Sequence, residues 1–147
     1  MKDIIEISGR KVGLGYEPLV VAEMSGNHNQ SLERALEIVE AVANSGAHAI
    51  KLQTYTADTL TIDKKDGDFY LSDPKSLWCG ISIYELYEQA HTPWEWHKEI
   101  FKRAHELGLL CFSSPFDETA VDFLEALDCP CYKIASTENT DVALLRK

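Results

Sequence analysis

Apolar residues recur along this chain with two spacings: short unbroken runs, and longer stretches in which they return every three or four positions. The runs over 19–24, 47–55, 109–113 and 131–136 read as buried strands, because a strand covered on both faces tolerates few polar residues. Helix-period stretches lie between them. Ser31 caps the first, whose inward face is Leu32, Ala35, Leu36, Val39 and Val42 and whose stop is Gly46. Thr92-Pro93-Trp94-Glu95 has the form of a capping box with proline at the first helical position, and the helix after it presents Trp96, Ile100, Ala104 and Leu107 before Gly108. Asp117 opens another, with Ala120, Phe123, Leu124 and Leu127 inward, and Thr140-Asp141 open a last one over 142–147. Ahead of these, 4–7 and 11–14 flank Ser8-Gly9-Arg10 as a small hairpin.

Strand and helix in alternation predict parallel strands and the α/β class. Polar residues concentrate where the runs end: Glu23, Ser25, Asn27 and His28, then Lys51, Gln53 and Thr54, then Ser113 and Ser114, then Lys133, Ser136 and Glu138. In a (β/α)8 TIM barrel the active site is built from such carboxyl ends. The chain has 147 residues, whereas a whole barrel needs ~250. The expectation is therefore the N-terminal half of a barrel, about four βα units after the hairpin, as one partial domain over 1–147 that stops inside a helix. The connection 56–90 departs from short loops. It carries the solvated turn Asp63-Lys64-Lys65-Asp66-Gly67-Asp68 and a helix opened by the capping box Ser82-Ile83-Tyr84-Glu85. A long insertion at a strand's exit serves as a lid or specificity element.

Lys51 and Lys133 each interrupt a strand-like run, and burying a lysine is costly unless an anion neutralises it. If Ile50 and Leu52 face helices, alternation turns Lys51 and Gln53 the other way, and the same parity separates Lys133 from Tyr132 and Ile134. Two cations sharing one interior predict a site for a small, multiply charged anion, a phosphate ester or carboxylate. The alternative is a structural ion pair with Glu23 or Glu138.

The formal net charge of −10 argues against nucleic acid or an anionic membrane as partner. It would also repel an anionic substrate at long range, but screening acts over ~8 Å, while a lysine ~4 Å away contributes roughly 4 kcal/mol at an effective dielectric near 20. No run approaches the ~18 apolar residues of a membrane span, and the start lacks a signal peptide's apolar stretch, so a cytoplasmic protein is expected. Cys79, Cys111, Cys129 and Cys131 lack zinc-ribbon or secreted-disulfide spacing, and the tight pair Cys129-Pro130-Cys131 reads as free thiols behaving as small hydrophobes.

Four strings closely resemble the sialic acid synthase family: Val21-Ala22-Glu23-Met24-Ser25-Gly26-Asn27-His28-Asn29, Ile50-Lys51-Leu52-Gln53-Thr54, Phe112-Ser113-Ser114-Pro115-Phe116-Asp117 and Tyr132-Lys133-Ile134-Ala135-Ser136. The stretches Gln53 to Leu60, Leu77-Trp78 and Ala90 to His97 resemble its pseudaminic acid synthase branch. The resemblance implies condensation of phosphoenolpyruvate with an open-chain sugar, 2,4-diacetamido-2,4,6-trideoxy-altrose in this branch, to a nonulosonic acid and phosphate. It implies that Lys51, Ser114, Lys133 and Ser136 hold phosphoenolpyruvate, that Glu23 and Gln53 lie near the reacting carbons, and that Glu138 is an active-site acid. Carbon three of the enol attacks the aldehyde, polarised by manganese or magnesium, and water adds at carbon two. The family's metal-binding histidines and its antifreeze-like domain belong outside these four units, so no metal ligand is assigned here. A homodimer is implied for the complete protein, and inactivity for this chain alone. Thr137 stands where many relatives have glycine.

Asn27, Trp78 and Tyr84 join the candidate sugar contacts, although Trp78 could equally pack the insertion. His28 reads as a hydrogen-bonding side chain before a metal ligand. Three other functions stay open. One is an N-acetylneuraminate or related synthase. The second is a Schiff-base aldolase using Lys133 with a pKa lowered by burial, and the third a non-catalytic half barrel that self-associates through its sheet edge.

Overall fold

In the computed structural model, which describes residues 4–147, Ser8 and Gly9 both take positive φ, 46° and 82°. That is the backbone of a two-residue turn matching strand twist, and it joins β1 (Ile4–Ile7) to β2 (Arg10–Gly13) with Ile7 opposite Arg10. Arg10 is thus the first strand residue, not part of the turn.

A second, parallel sheet has the order β3 (Val21–Glu23), β4 (Ala49–Thr54), β5 (Leu110–Pro115). The crossovers contain α1 (Leu32–Asn44) and α4 (Trp94–Glu106), which pack on each other. Met24, Ile50, Leu52 and Cys111 meet Ala35, Val39, Ile100 and Ala104 in one buried cluster. Each large side chain fully withdrawn from water there contributes about 1.5–3 kcal/mol.

Local signals set most helix ends. The Ser31 hydroxyl accepts from the Arg34 N–H at 3.2 Å, and Gly46, at φ 81°, turns the chain out of α1. Asp117 accepts from the backbone of Thr119 and Ala120 to start α5 (Glu118–Glu125). The insertion folds as α2 (Ala57–Leu60), a 3-10 turn at Gly67–Phe69 and α3 (Ile83–Ala90), the last begun by the reciprocal Ser82–Glu85 capping box. Asp141 caps α6 (Val142–Arg146).

Three expectations are corrected. Residues 131–136 form no strand: Tyr132 makes one parallel bridge with Ser113, the Lys133 N–H donates to the Ser113 carbonyl at 3.1 Å, and the chain then turns as the Glu138 N–H reaches Ala135. Parallel pairing is slightly less stable per residue than antiparallel, and among the described residues this segment has a neighbour on one side only. Pro93, not Thr92, is the cap of α4, because the Thr92 hydroxyl is buried against His28 at 3.2 Å and leaves the helix end. Leu107 is 36% exposed, while His97 and Phe101 take the inward positions beside Ile100.

Candidate functional site

Alternation on β4 sends Ile50 and Leu52 into the helix-covered core, so Lys51 and Gln53 project from the other face. The register places Glu23 beside Lys51 and Ser114 beside Gln53, and residues paired in a parallel ladder share a face. Lys51 is only 6% exposed. Its Nζ lies 3.4 Å from Glu23 Oε1, whose side chain is 64% exposed. The structural ion pair left open by the sequence is therefore formed, with a carboxylate that water can draw away. Ser114 is 1% exposed and its hydroxyl has no hydrogen-bond partner. Leaving such a group unsatisfied costs about 1–3 kcal/mol. A buried cation and an unpartnered donor on one face fit the oxygens of a small anion.

Lys133 is not buried as Lys51 is. The single bridge at Tyr132 gives Lys133 the right parity, but its side chain and that of Ser136 are exposed. Among the described residues Lys133 makes no ion pair, with Glu138 or any other carboxylate. Thr137 has φ −75°, a conformation open to any residue, and its hydroxyl donates to the Glu138 carboxylate at 2.7 Å. No glycine is needed there.

The strand ends open into a cavity of about 380 Å³ lined by Gln53, Tyr55, Trp78, Tyr87, Phe116 and Glu138 among others. An adjoining cavity of about 560 Å³ includes Asn27, and Ser25, Gly26, Trp78, Leu86 and Ala90 line both. These volumes suit a small-molecule ligand. Trp78, 52% exposed, borders the two. Asn27 donates its side-chain N–H to the Met24 carbonyl at 2.9 Å. Tyr84 stands outside the lining of both cavities; its phenol donates to Asp58 at 3.0 Å and ties α3 to α2. Gly26 lets the insertion close in: a Cβ there would stand 3.1 Å from the Ala90 carbonyl oxygen.

Behind the site runs a buried polar chain. His97 Nδ1 lies 3.3 Å from the Pro93 carbonyl, which makes Nδ1 the donor and Nε2 the acceptor. Thr54 therefore donates to Nε2 at 2.9 Å and accepts from the Ser113 hydroxyl at 2.7 Å. Burial pushes the His97 pKa down to about 4, so the ring is neutral. The sequence carried one signal for it, a spacing of three and seven from Ile100 and Ala104 on the buried helix face. His28 is also fully buried, accepts the Gln30 N–H at Nδ1 and bonds Thr92 through Nε2, a core histidine. Burial pushes the Cys129 thiol up to about 11, and its Sγ–H donates to the Cys131 carbonyl. Among the described residues no group of three or more His, Cys, Asp or Glu could hold a metal ion, and no helix is long and apolar enough to cross a membrane.

The NeuB family profile matches residues 38–147. The chain is 48% identical over 130 residues to the pseudaminic acid synthase of Helicobacter pylori, which covers 88% of this chain and 38% of that protein. It is 48% identical over 127 residues to the pseudaminic acid synthase of Campylobacter jejuni, with 86% and 36% covered. The chain thus spans well under half the length of these curated relatives. Among solved structures, the N-acetylneuraminic acid synthetase of Leptospira borgpetersenii in complex with citrate matches with a TM-score of 0.81 at 23% identity, over 97% of this chain and 44% of that one.

Proposed function

The chain belongs to the NeuB family, and from that premise we propose that it is the phosphoenolpyruvate-binding part of a pseudaminic acid synthase. The reaction joins carbon three of phosphoenolpyruvate to the aldehyde carbon of 2,4-diacetamido-2,4,6-trideoxy-altrose. The aldehyde oxygen takes up a proton, water adds at carbon two, and phosphate leaves. The observation that carries this reading is the buried Lys51 beside an exposed carboxylate, with the unpartnered Ser114 hydroxyl on the same sheet face. Identity of 48% to two pseudaminic acid synthases supports that sugar over N-acetylmannosamine.

In this reading Lys51 and Ser114 hold the phosphate and carboxylate of phosphoenolpyruvate, with electrostatics that persist as charge shifts toward the leaving group. Lys133 and Ser136 join them once the rest of a (β/α)8 barrel pairs with their segment. Glu23, released from Lys51 as the substrate anion arrives, and Glu138 are the groups able to carry a proton. Gln53, Asn27 and Trp78 face the sugar, and Tyr84 supports that wall through Asp58. The divalent metal that would polarise the aldehyde has no ligand set among the described residues, so none of these roles is routed through it. The complete protein is proposed to be a cytoplasmic homodimer, with 1–147 as part of its barrel domain. A Schiff-base aldolase gains no support from this chain, in which Lys133 is exposed, or from the relatives it matches, which are synthases.

The test is a titration of the chain with phosphoenolpyruvate followed by phosphorus NMR. Lys51→Met is expected to weaken binding at least tenfold, while Lys11→Met, on the exposed hairpin, leaves it unchanged. Equal affinity in the two variants would overturn the assignment.

A further inference from the structure

The cavity beside Gln53 has two kinds of lining. Ser25, Gln53, Thr137 and Glu138 offer hydrogen-bonding groups, whereas Tyr55, Leu60, Leu86, Tyr87 and Phe116 offer aromatic and aliphatic surface. Tyr55 is the centre of the second kind. Its ring meets Tyr87 edge-on at 5.8 Å and Phe116 edge-on at 5.5 Å. The Trp94 indole N–H holds its carbonyl at 3.2 Å. The residue is 5% exposed; among the described residues no protein group bonds its phenol or that of Tyr87, and neither oxygen is among the buried unpartnered atoms, so both hydroxyls stay accessible. Burial, with Tyr87 nearby, pushes the Tyr55 pKa up to about 12, so at neutral pH it is a donor and not an anion.

A rigid aromatic wall with two unspent O–H donors suits a group that is apolar at one end and a hydrogen-bond acceptor at the other. We propose that Tyr55 and Tyr87 form a subsite for an acylamino substituent of the sugar. The acyl methyl packs on the Tyr55, Tyr87 and Phe116 rings, and the amide carbonyl oxygen accepts from the phenols. A free ammonium at the same position would be stripped of water beside Leu60 and Leu86. Phosphoenolpyruvate has no such group and seats instead by Lys51 and Ser114, so the two ligands separate experimentally. The subsite rests on the reading that this cavity takes an amino sugar.

The experiment uses the 147-residue chain, with 2,4-diacetamido-2,4,6-trideoxy-altrose and its 2,4-diamino counterpart as probes and phosphoenolpyruvate in the same samples. Irradiating aromatic protons is expected to transfer saturation to an acetyl methyl, and the acetylated sugar to bind at least tenfold more tightly than the free amine. Tyr55→Phe and Tyr87→Phe keep the rings and remove one hydrogen bond each, which should weaken the acetylated sugar about three- to tenfold and leave phosphoenolpyruvate unaffected. Should Tyr55→Phe fail to fold, the half-buried Tyr87→Phe decides. With phosphoenolpyruvate binding intact, the subsite alone is overturned by equal affinity for the two sugars, by no sugar binding, or by a Tyr87→Phe chain within twofold of wild type. Loss of both ligands by the wild-type chain overturns the proposed function, and the subsite with it.

Discussion

At Gly26 one missing Cβ sets how closely two distant segments approach. The space for that atom is bounded by the Ala90 carbonyl at 3.1 Å, and a backbone atom cannot swing aside as a side chain does. Gly26→Ala should therefore push the end of α3 away from the cavity and destabilise the chain by about 1–3 kcal/mol, the usual cost of overpacking. A urea midpoint unchanged from wild type would show that α3 gives way freely. The same scale separates the two lysines. Parity alone places Lys51 and Lys133 on one face, but Lys51 lies on the central strand of three and is buried, whereas Lys133 follows a single bridge and reaches solvent.

At the scale of elements, α4 and the strand ends are joined through His97. Burial lowers the pKa of this histidine from 6.5 to about 4 in the folded chain. The unfolded chain therefore takes up the proton first as pH falls. The stability associated with the neutral ring is complete above about pH 6.5 and is lost progressively between there and about pH 4, a loss of roughly 3 kcal/mol. His28, lowered by burial and by His91, acts in the same direction. Urea midpoints across this window should fall for wild type and fall less for His97→Gln, which keeps an acceptor near Thr54 without a titrating group. Identical slopes would place the acid sensitivity elsewhere.

For the whole molecule, the parallel sheet ends at the Tyr132 bridge, and beyond it stand Ile134, Val142 and Leu145, 40%, 53% and 48% exposed. An unpaired sheet edge beside exposed apolar side chains favours pairing with another chain. Light scattering of the purified chain should show mass rising with concentration, and Ile134→Lys with Leu145→Lys should lower it. The same samples, given phosphoenolpyruvate, the diacetamido sugar and manganese, should release no phosphate, because Lys133 and Ser136 lie in solvent. A monodisperse monomer, or sugar-dependent release on the order of 1 per second, would contradict this picture.

What the sequence determined by itself is whatever depends on neighbours a few residues apart. It determined the alternation of strand and helix, the caps at Ser31, Ser82 and Asp117, the exit at Gly46, and the outward parity of Lys51 and Gln53 from the core. Its family strings were equally legible, since they are runs of adjacent residues. Tertiary structure decided the rest. Thr92 caps nothing because His28, 64 positions away, takes its hydroxyl. His97 is a neutral core group because the fold buries it, and its Nε2 finds Thr54, 43 positions away. Tyr84 bonds Asp58 and stands off the cavity, and Tyr55 rather than Tyr84 lines it. A polar side chain bonds to whichever partner the fold brings within about 3 Å, and for these residues that partner comes from a distant part of the chain, where no local pattern records it.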